Sequence, residues 1–329
     1  MDRILVLPGD GIGPSIMESA VKVIGAACSD VEIVHGDIGF SAYEVSGHHL
    51  PYETLDLAGE CDNILCGPVR TTRDDRGSER DPVETLKIQL DLYAMTRTFR
   101  TLAPDLGPEG MEVTLWATNT DLGQDVVETR DMDGITLTKY SRSSSYSRMM
   151  GKALSDMEMS GKRRVACIGR GDLFPESSGL FRESFDSLFD DGIYGITHMD
   201  VPEWSSRVVR EPMSNDYIVC ADMYSHVAAG ILSGLTGGNH ITPVGFVGDS
   251  STLYLPGNMH TFEDIPPEYV NPTSAILAGA SALFNMNRRA EAESIVEAVR
   301  DAYMAGKRTP DMGGDLTGSG FTDLIVGSI

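Results

Sequence analysis

Three glycines, Gly9, Gly11 and Gly13, alternate with other residues in LPGDGIGP, directly after the apolar run RILVL. A glycine turn between a strand and a helix can lead backbone N–H groups to a phosphate, which would make the chain a nucleotide binder. The dinucleotide pattern needs G-x-G-x-x-G, and Pro14 stands where the third glycine belongs. The spacing therefore reads first as a tight turn delivering a strand into a helix, with phosphate binding as the alternative. Among other residues able to do chemistry, Cys28, Cys61, Cys66, Cys167 and Cys220 are scattered and odd in number. Cys61 and Cys66 lack a matching Cys/His pair at zinc-finger spacing, so buried thiols in a reducing compartment are expected.

The elements that must hold such groups alternate between apolar strand-like runs and helical patterns, which implies an α/β fold. RILVL, VEIVHGD, CDNILCGPV, MEVTLWATNT, RRVACIG, DYIVCAD and TPVGFVG read as strands. GPSIMESAVKVIGAAC, VETLKIQLDLYAMT, YSRMMGKALSDMEMSG, PTSAILAGASALFNM and AEAESIVEAVRDAYMAG read as helices, with apolar residues three and four apart. DGITLTKYSRSSSY alternates and is polar, as an exposed strand or hairpin arm would be. DSSTLYLPGNMHTFEDIPPEYVNP reads as one long loop, a length that is often functional.

The chain has 329 residues, enough for two domains. Its net charge of -23 repels a phosphate backbone, so nucleic acid is not expected as a partner. Any anionic ligand then needs a local cluster of Arg and Lys. No apolar run reaches the roughly 18–20 residues that span a bilayer, and the N-terminal run is too short for a signal-peptide core. No membrane association and a cytoplasmic location are expected.

LPGDGIGP, LKIQLDLYAMTR, YSRMMGKAL, NPTSAILAGASAL and TPDMGGDLTGSGFTD, in this order, resemble the isocitrate and 3-isopropylmalate dehydrogenases, the metal-dependent decarboxylating β-hydroxyacid dehydrogenases. The resemblance runs from about residue 4 to the end. It implies an isopropylmalate-dehydrogenase-like two-domain α/β/α sandwich with a central cleft and a dimer clasp. The first domain would combine residues 1–100 with 245–329, the second would span 101–244, and the clasp would lie near 134–147. The family's reaction oxidises a 2-hydroxy acid with NAD or NADP and releases carbon dioxide. A divalent metal acts as Lewis acid, a lysine and a tyrosine move protons, and arginines clamp carboxylates. A homodimer is implied.

Mapped onto this chain, the resemblance places the clamp at Arg97, at Lys87, which lacks a guanidinium fork, and near Ala117, where charge is lost. Arg70, Arg73, Arg76 and Arg80 in VRTTRDDRGSERD could compensate, or form a solvated charged surface. Arg170 falls at the lysine position; arginine binds a carboxylate but is a poor base. The tyrosine position falls near Gln124, with Tyr140 and Tyr146 close in sequence. Of the metal carboxylates Asp200 remains, while His226 and Gly230 take the other two places. Asp222 lies one turn before His226, and Asp200, Asp222 and His226 together could hold a softer metal such as zinc. The cofactor segment reads NMHTFE: Glu263 could accept from an adenosine ribose and Asn271 also matches, whereas Met259, Thr261 and Phe262 replace small residues. Three readings follow. The chain is an oxidoreductase on a small anionic 2-hydroxy acid, with Arg170, Asp200 and Asp222 catalytic. Or it reuses the cleft for other chemistry on an anionic small molecule. Or it is a non-catalytic paralogue, which could form a hetero-oligomer with an intact one.

Overall fold

The computed structural model describes residues 2–70, 80–119, 126–189, 192–258, 266 and 269–329, without the side chains of Val126 and Asp222. In chain order its strands are β1 (Arg3–Leu7), β2 (Glu32–His35), β3 (Asn63–Cys66), β4 (Ala94–Arg100), β5 (Glu112–Thr118), β6 (Val126–Arg130), β7 (Ile135–Lys139), β8 (Arg164–Gly169), β9 (Gly195–Asp200), β10 (Tyr217–Cys220), β11 (Val244–Val247) and β12 (Thr252–Leu255). The chain forms a mixed α/β fold of two compact units. One unit holds residues 1–92, 101–109 and 237–329, and the other holds 93–100 and 110–236.

In the first unit the strands run β2-β1-β3-β12-β11, parallel except for the antiparallel β11–β12 pair. β1 and β3 are apolar runs buried on both faces, as a covered parallel sheet requires. The helix Gly13–Ala27 begins with Pro14, whose fixed φ suits a first turn. Its buried Ile16, Met17, Ala20, Val23 and Ile24 share one core with helices Thr273–Asn285, Arg289–Met304 and Gly318–Val326. Gly279 packs against Ile24, whose side chain would have to shift to admit a Cβ, 2.9 Å from its Cδ1.

In the second unit the order is β4-β5-β10-β8-β9, parallel except for β4–β5. Helices Ser143–Ser160 and Pro175–Phe189 pack on each other, while helix Asp222–Thr236 lies against β4 and β5. β6 and β7 form a separate antiparallel hairpin whose turn is fixed by Asp131, which accepts from the N–H groups of Asp133 and Gly134.

Three element expectations need correction. VETLKIQLDLYAMT is a helix only over Pro82–Gln89, because Asp91 adopts φ 48° and redirects the chain into β4. The stretch 134–147 is not one arm: β7 ends at Lys139 and a helix starts at Ser143. The expected long loop after Val247 contains β12, which turns back on β11 through the Gly248 N–H to Ser251 carbonyl bond.

Candidate functional site at the carboxyl ends of the second unit's strands

The turn LPGDGIGP closes on itself. Gly9 has φ +73°, and Cβ atoms at Gly9 and Gly13 would stand 2.3 Å from the Pro68 carbonyl oxygen and 2.1 Å from the Pro8 carbonyl oxygen. Asp10, 8% exposed, accepts from the backbone N–H of Phe40 (2.9 Å), Ser41 (3.0 Å) and Arg70 (2.8 Å). Within the turn, the Asp10 N–H donates to the Pro68 carbonyl at 2.7 Å and the Gly13 N–H to the Asp10 carbonyl at 2.9 Å. These contacts fit the reading of the glycines as a tight turn.

The second unit arranges its functional groups differently. β10, β8 and β9 are parallel neighbours, so their carboxyl ends bring Asp222, Arg170 and Asp200 to one edge, where open α/β sheets bind ligands. Asp200 Oδ1 accepts from the Gly171 N–H at 2.8 Å. Arg170 donates from Nε and Nη2 to the two oxygens of Asp172, at 2.8 and 3.2 Å. The Asp172 carboxylate holds the guanidinium above its ordinary range, with Tyr224 and Asp200 adding smaller contributions from nearby. Tyr224, on helix Asp222–Thr236, was not legible as a site residue because no motif marks it.

Alternation along β8 and β9 puts Cys167, Gly169, His198 and Asp200 on one face. With Ser178 and Arg182 of helix Pro175–Phe189 they line a cavity of about 370 Å³. His198 is held there by Asp186, with Nε2 3.0 Å from Oδ1, and by the edge of the Phe185 ring. Burial pushes the Cys167 thiol well up, so it stays protonated.

Arg97 does not join this group. It lies on β4, and β4 and β9 are the first and last of the unit's five strands. Four strand spacings separate them, roughly 19 Å. Burial pulls the Arg97 guanidinium down to about 10, and Phe99 lies beneath it at 5.1 Å. Other expected residues are engaged within the fold. Lys87, 4% exposed, donates to Glu84 at 2.7 Å and stacks 3.8 Å over Phe246, so it is a buried ion pair and not an open clamp. Asn271, 2% exposed, donates to Asp311 (3.0 Å) and Tyr303 (3.5 Å) and accepts from the Thr273 N–H, so its side chain supports the fold instead of facing a cofactor. Tyr146 is buried edge-on against Phe181, Tyr140 is exposed after the hairpin, and Ala117 is buried in β5. Arg70 gives its backbone N–H to Asp10 and stacks over Phe40, and Arg80 is exposed. Arg73, Arg76, Gln124, Met259, Thr261, Phe262 and Glu263 lie outside the described residues.

The resemblance implies a divalent cation and a dinucleotide. Among the described residues, no three His, Cys, Asp or Glu side chains come together as a metal site. His226 is exposed, and Gly230 offers no donor where the family has a carboxylate. Asp200 is the one candidate metal carboxylate whose side chain is described, and alone it does not supply the roughly six oxygens that a hard cation prefers. Of the dinucleotide candidates only Asn271 is among the described residues, and its side chain is engaged with Asp311.

Over residues 3–325 the chain matches the family model described as isocitrate/isopropylmalate dehydrogenase. It is 26% identical to the isocitrate/homoisocitrate dehydrogenase of Thermus thermophilus, over 98% of this chain and 97% of that one. It is 25% identical to the 3-isopropylmalate dehydrogenase of Methanothermobacter thermautotrophicus, over 95% and 94%. The crystal structure of isocitrate dehydrogenase from Methylococcus capsulatus superimposes with a TM-score of 0.89 at 25% identity, covering 100% of this chain and 99% of that one.

Proposed function

The chain belongs to the isocitrate/isopropylmalate dehydrogenase family, and from that premise we propose that it is an oxidoreductase acting on a small anionic 2-hydroxy acid, with NAD or NADP as hydride acceptor. The observation that carries the reading is the cluster at the carboxyl ends of β8, β9 and β10. There a guanidinium stands beside a carboxylate and a phenol, a set able to hold an anion and orient a hydroxyl. Relatives of nearly equal length that carry dehydrogenase names support the assignment.

A homodimer belongs to this reading. Arg97 and Asp200 sit on opposite outer strands of their unit, so one site that uses both draws them from two copies. The hairpin β6–β7 offers a docking arm, because Val127, Ile135 and Leu137 are each more than half exposed. The expected first domain of residues 1–100 with 245–329 gives 93–100 to the second unit and gains 101–109 and 237–244 from the expected 101–244; a cytoplasmic location belongs to the same proposal. No helix among the described residues is long and apolar enough to cross a membrane.

The test is a panel of 2-hydroxy diacids, malate and isocitrate included, with NAD+ and NADP+, followed at 340 nm. Reduced cofactor from at least one pair is expected. No turnover, together with no calorimetric binding of any acid or cofactor, would overturn the reading. The second reading, a non-catalytic paralogue, is favoured by the engagement of Lys87 with Glu84 and Asn271 with Asp311. It requires co-purification with an intact homologue from native cells.

A further inference from the structure

The region around Asp200 has a cation of its own. Gly171, next to Arg170, is bonded to Asp200, and the guanidinium lies within electrostatic reach of that carboxylate and of Tyr224. Its side chain is 25% exposed, so it is partly withdrawn from water. A guanidinium has five N–H donors. Two bond Asp172, which leaves three directed elsewhere. Among the described residues no group of three His, Cys, Asp or Glu gathers around Asp200 to hold a divalent cation, and the side-chain-free Gly230 supplies no oxygen.

We infer that the positive charge that meets the substrate's oxygens here is the Arg170 guanidinium, held by Asp172, and that no tightly bound divalent cation takes part. The inference rests on the oxidoreductase reading above and specifies how its site handles an anion. Arginine fits the role chemically. It cannot be deprotonated, it grips a carboxylate with two parallel N–H bonds, and it stabilises charge developing on an oxygen. It cannot act as the base, so any proton transfer falls to another group such as Tyr224. Asp172 is a positioning residue: it fixes the plane of the guanidinium without touching the substrate.

Two measurements on the intact, EDTA-dialysed protein test this. In the first, Mn2+ is titrated and followed by electron paramagnetic resonance. A dissociation constant above about 1 mM, a weak interaction worth no more than about 4 kcal/mol, is expected. Any tighter site overturns the metal-free reading. In the second, malate and isocitrate are titrated calorimetrically without added metal. Arg170→Ala should weaken binding at least tenfold, and Arg170→Lys should recover it only in part. Asp172→Asn should weaken it several-fold and Asp172→Glu restore it, which a merely exposed ion pair would not do. Unchanged affinity in Arg170→Ala overturns the guanidinium's role. If neither acid binds the parent protein, the oxidoreductase reading fails with these probes and so does the substrate half of this inference, while the Mn2+ titration still decides the metal half.

Discussion

At the scale of single residues, the side chains that resemble a known site are mostly engaged in holding the fold. Asp10 shows this best: three backbone N–H groups from two separate segments converge on one buried carboxylate. Replacing Asp10 with Ala leaves those donors without their acceptor and should cost about 1–3 kcal/mol in urea unfolding. A loss of nucleotide affinity with unchanged stability would instead return this turn to a binding role. Glu112 yields a pH prediction. Burial pushes its carboxyl up, but Arg100 and Lys162 pull harder and hold it at about 2, below its ordinary 4.5. The folded value is depressed, so its contribution is present above pH 4.5 and is lost as the pH falls toward 2. Glu112→Gln should cost about 1 kcal/mol or less at pH 7, since the pair is partly exposed, and the deficit should vanish near pH 2. A deficit independent of pH would refute the ion-pair account. What sequence could say of such residues was limited. Arg170 was legible as a cation able to bind an anion, but its pairing with Asp172 needed the turn geometry. The structural role of Asn271 depended on Asp311, forty residues away.

At the scale of elements, strands buried on both faces and helices with a clear apolar stripe were legible, because period and burial agree there. The failures came where one dihedral decides. Asp91 ends a helix whose apolar spacing continues past it, and TLYL becomes β12 only because β11 and β3 flank it. Helix Asp222–Thr236 carries the next prediction. Gly230 sits in its interior, exposed, with open space where a Cβ would go. Interior glycine costs about 0.5–1 kcal/mol relative to alanine. Gly230→Ala should therefore stabilise the protein by that amount, raising the thermal midpoint by roughly 1–4 °C. A fall would mean that something outside the described chain, such as a second copy, approaches the helix closely at that point. In that case the missing carboxylate would mark a contact surface, not simply a lost donor.

At the scale of the whole molecule, charge is the dominant feature. Asp and Glu number 49 against 26 Lys and Arg, so pairing every cation would still leave 23 acidic side chains unpaired. The ion pairs that do form are largely at the surface, such as Lys22–Asp323, Arg207–Glu211 and Arg289–Glu293. Two effects of salt then compete. Screening weakens these pairs, each worth about 0–1 kcal/mol. It also weakens repulsion among the excess carboxylates, which acts over the Debye length, about 10 Å at 0.1 M and 3 Å at 1 M. With this imbalance the repulsive part should be the larger, since compact folding concentrates like charge that the unfolded chain spreads out. The thermal midpoint should therefore rise by several degrees between about 0.05 and 1 M KCl, as the Debye length shortens to about 3 Å. An equally osmotic sucrose series, which does not screen, should raise it less. A midpoint that falls with KCl would show that the surface pairs outweigh the self-repulsion. An equal rise in sucrose would assign the effect to exclusion of solute from the surface and not to charge. The same repulsion bears on the site: a small dianion approaching so acidic a surface is disfavoured at low salt. Binding of malate through Arg170 should therefore tighten as KCl rises from about 0.01 to 0.15 M, where the Debye length falls from 30 to 8 Å. Tightening separates the field of the whole surface from the pull of a single guanidinium, because an isolated cation–anion contact would only weaken as salt is added.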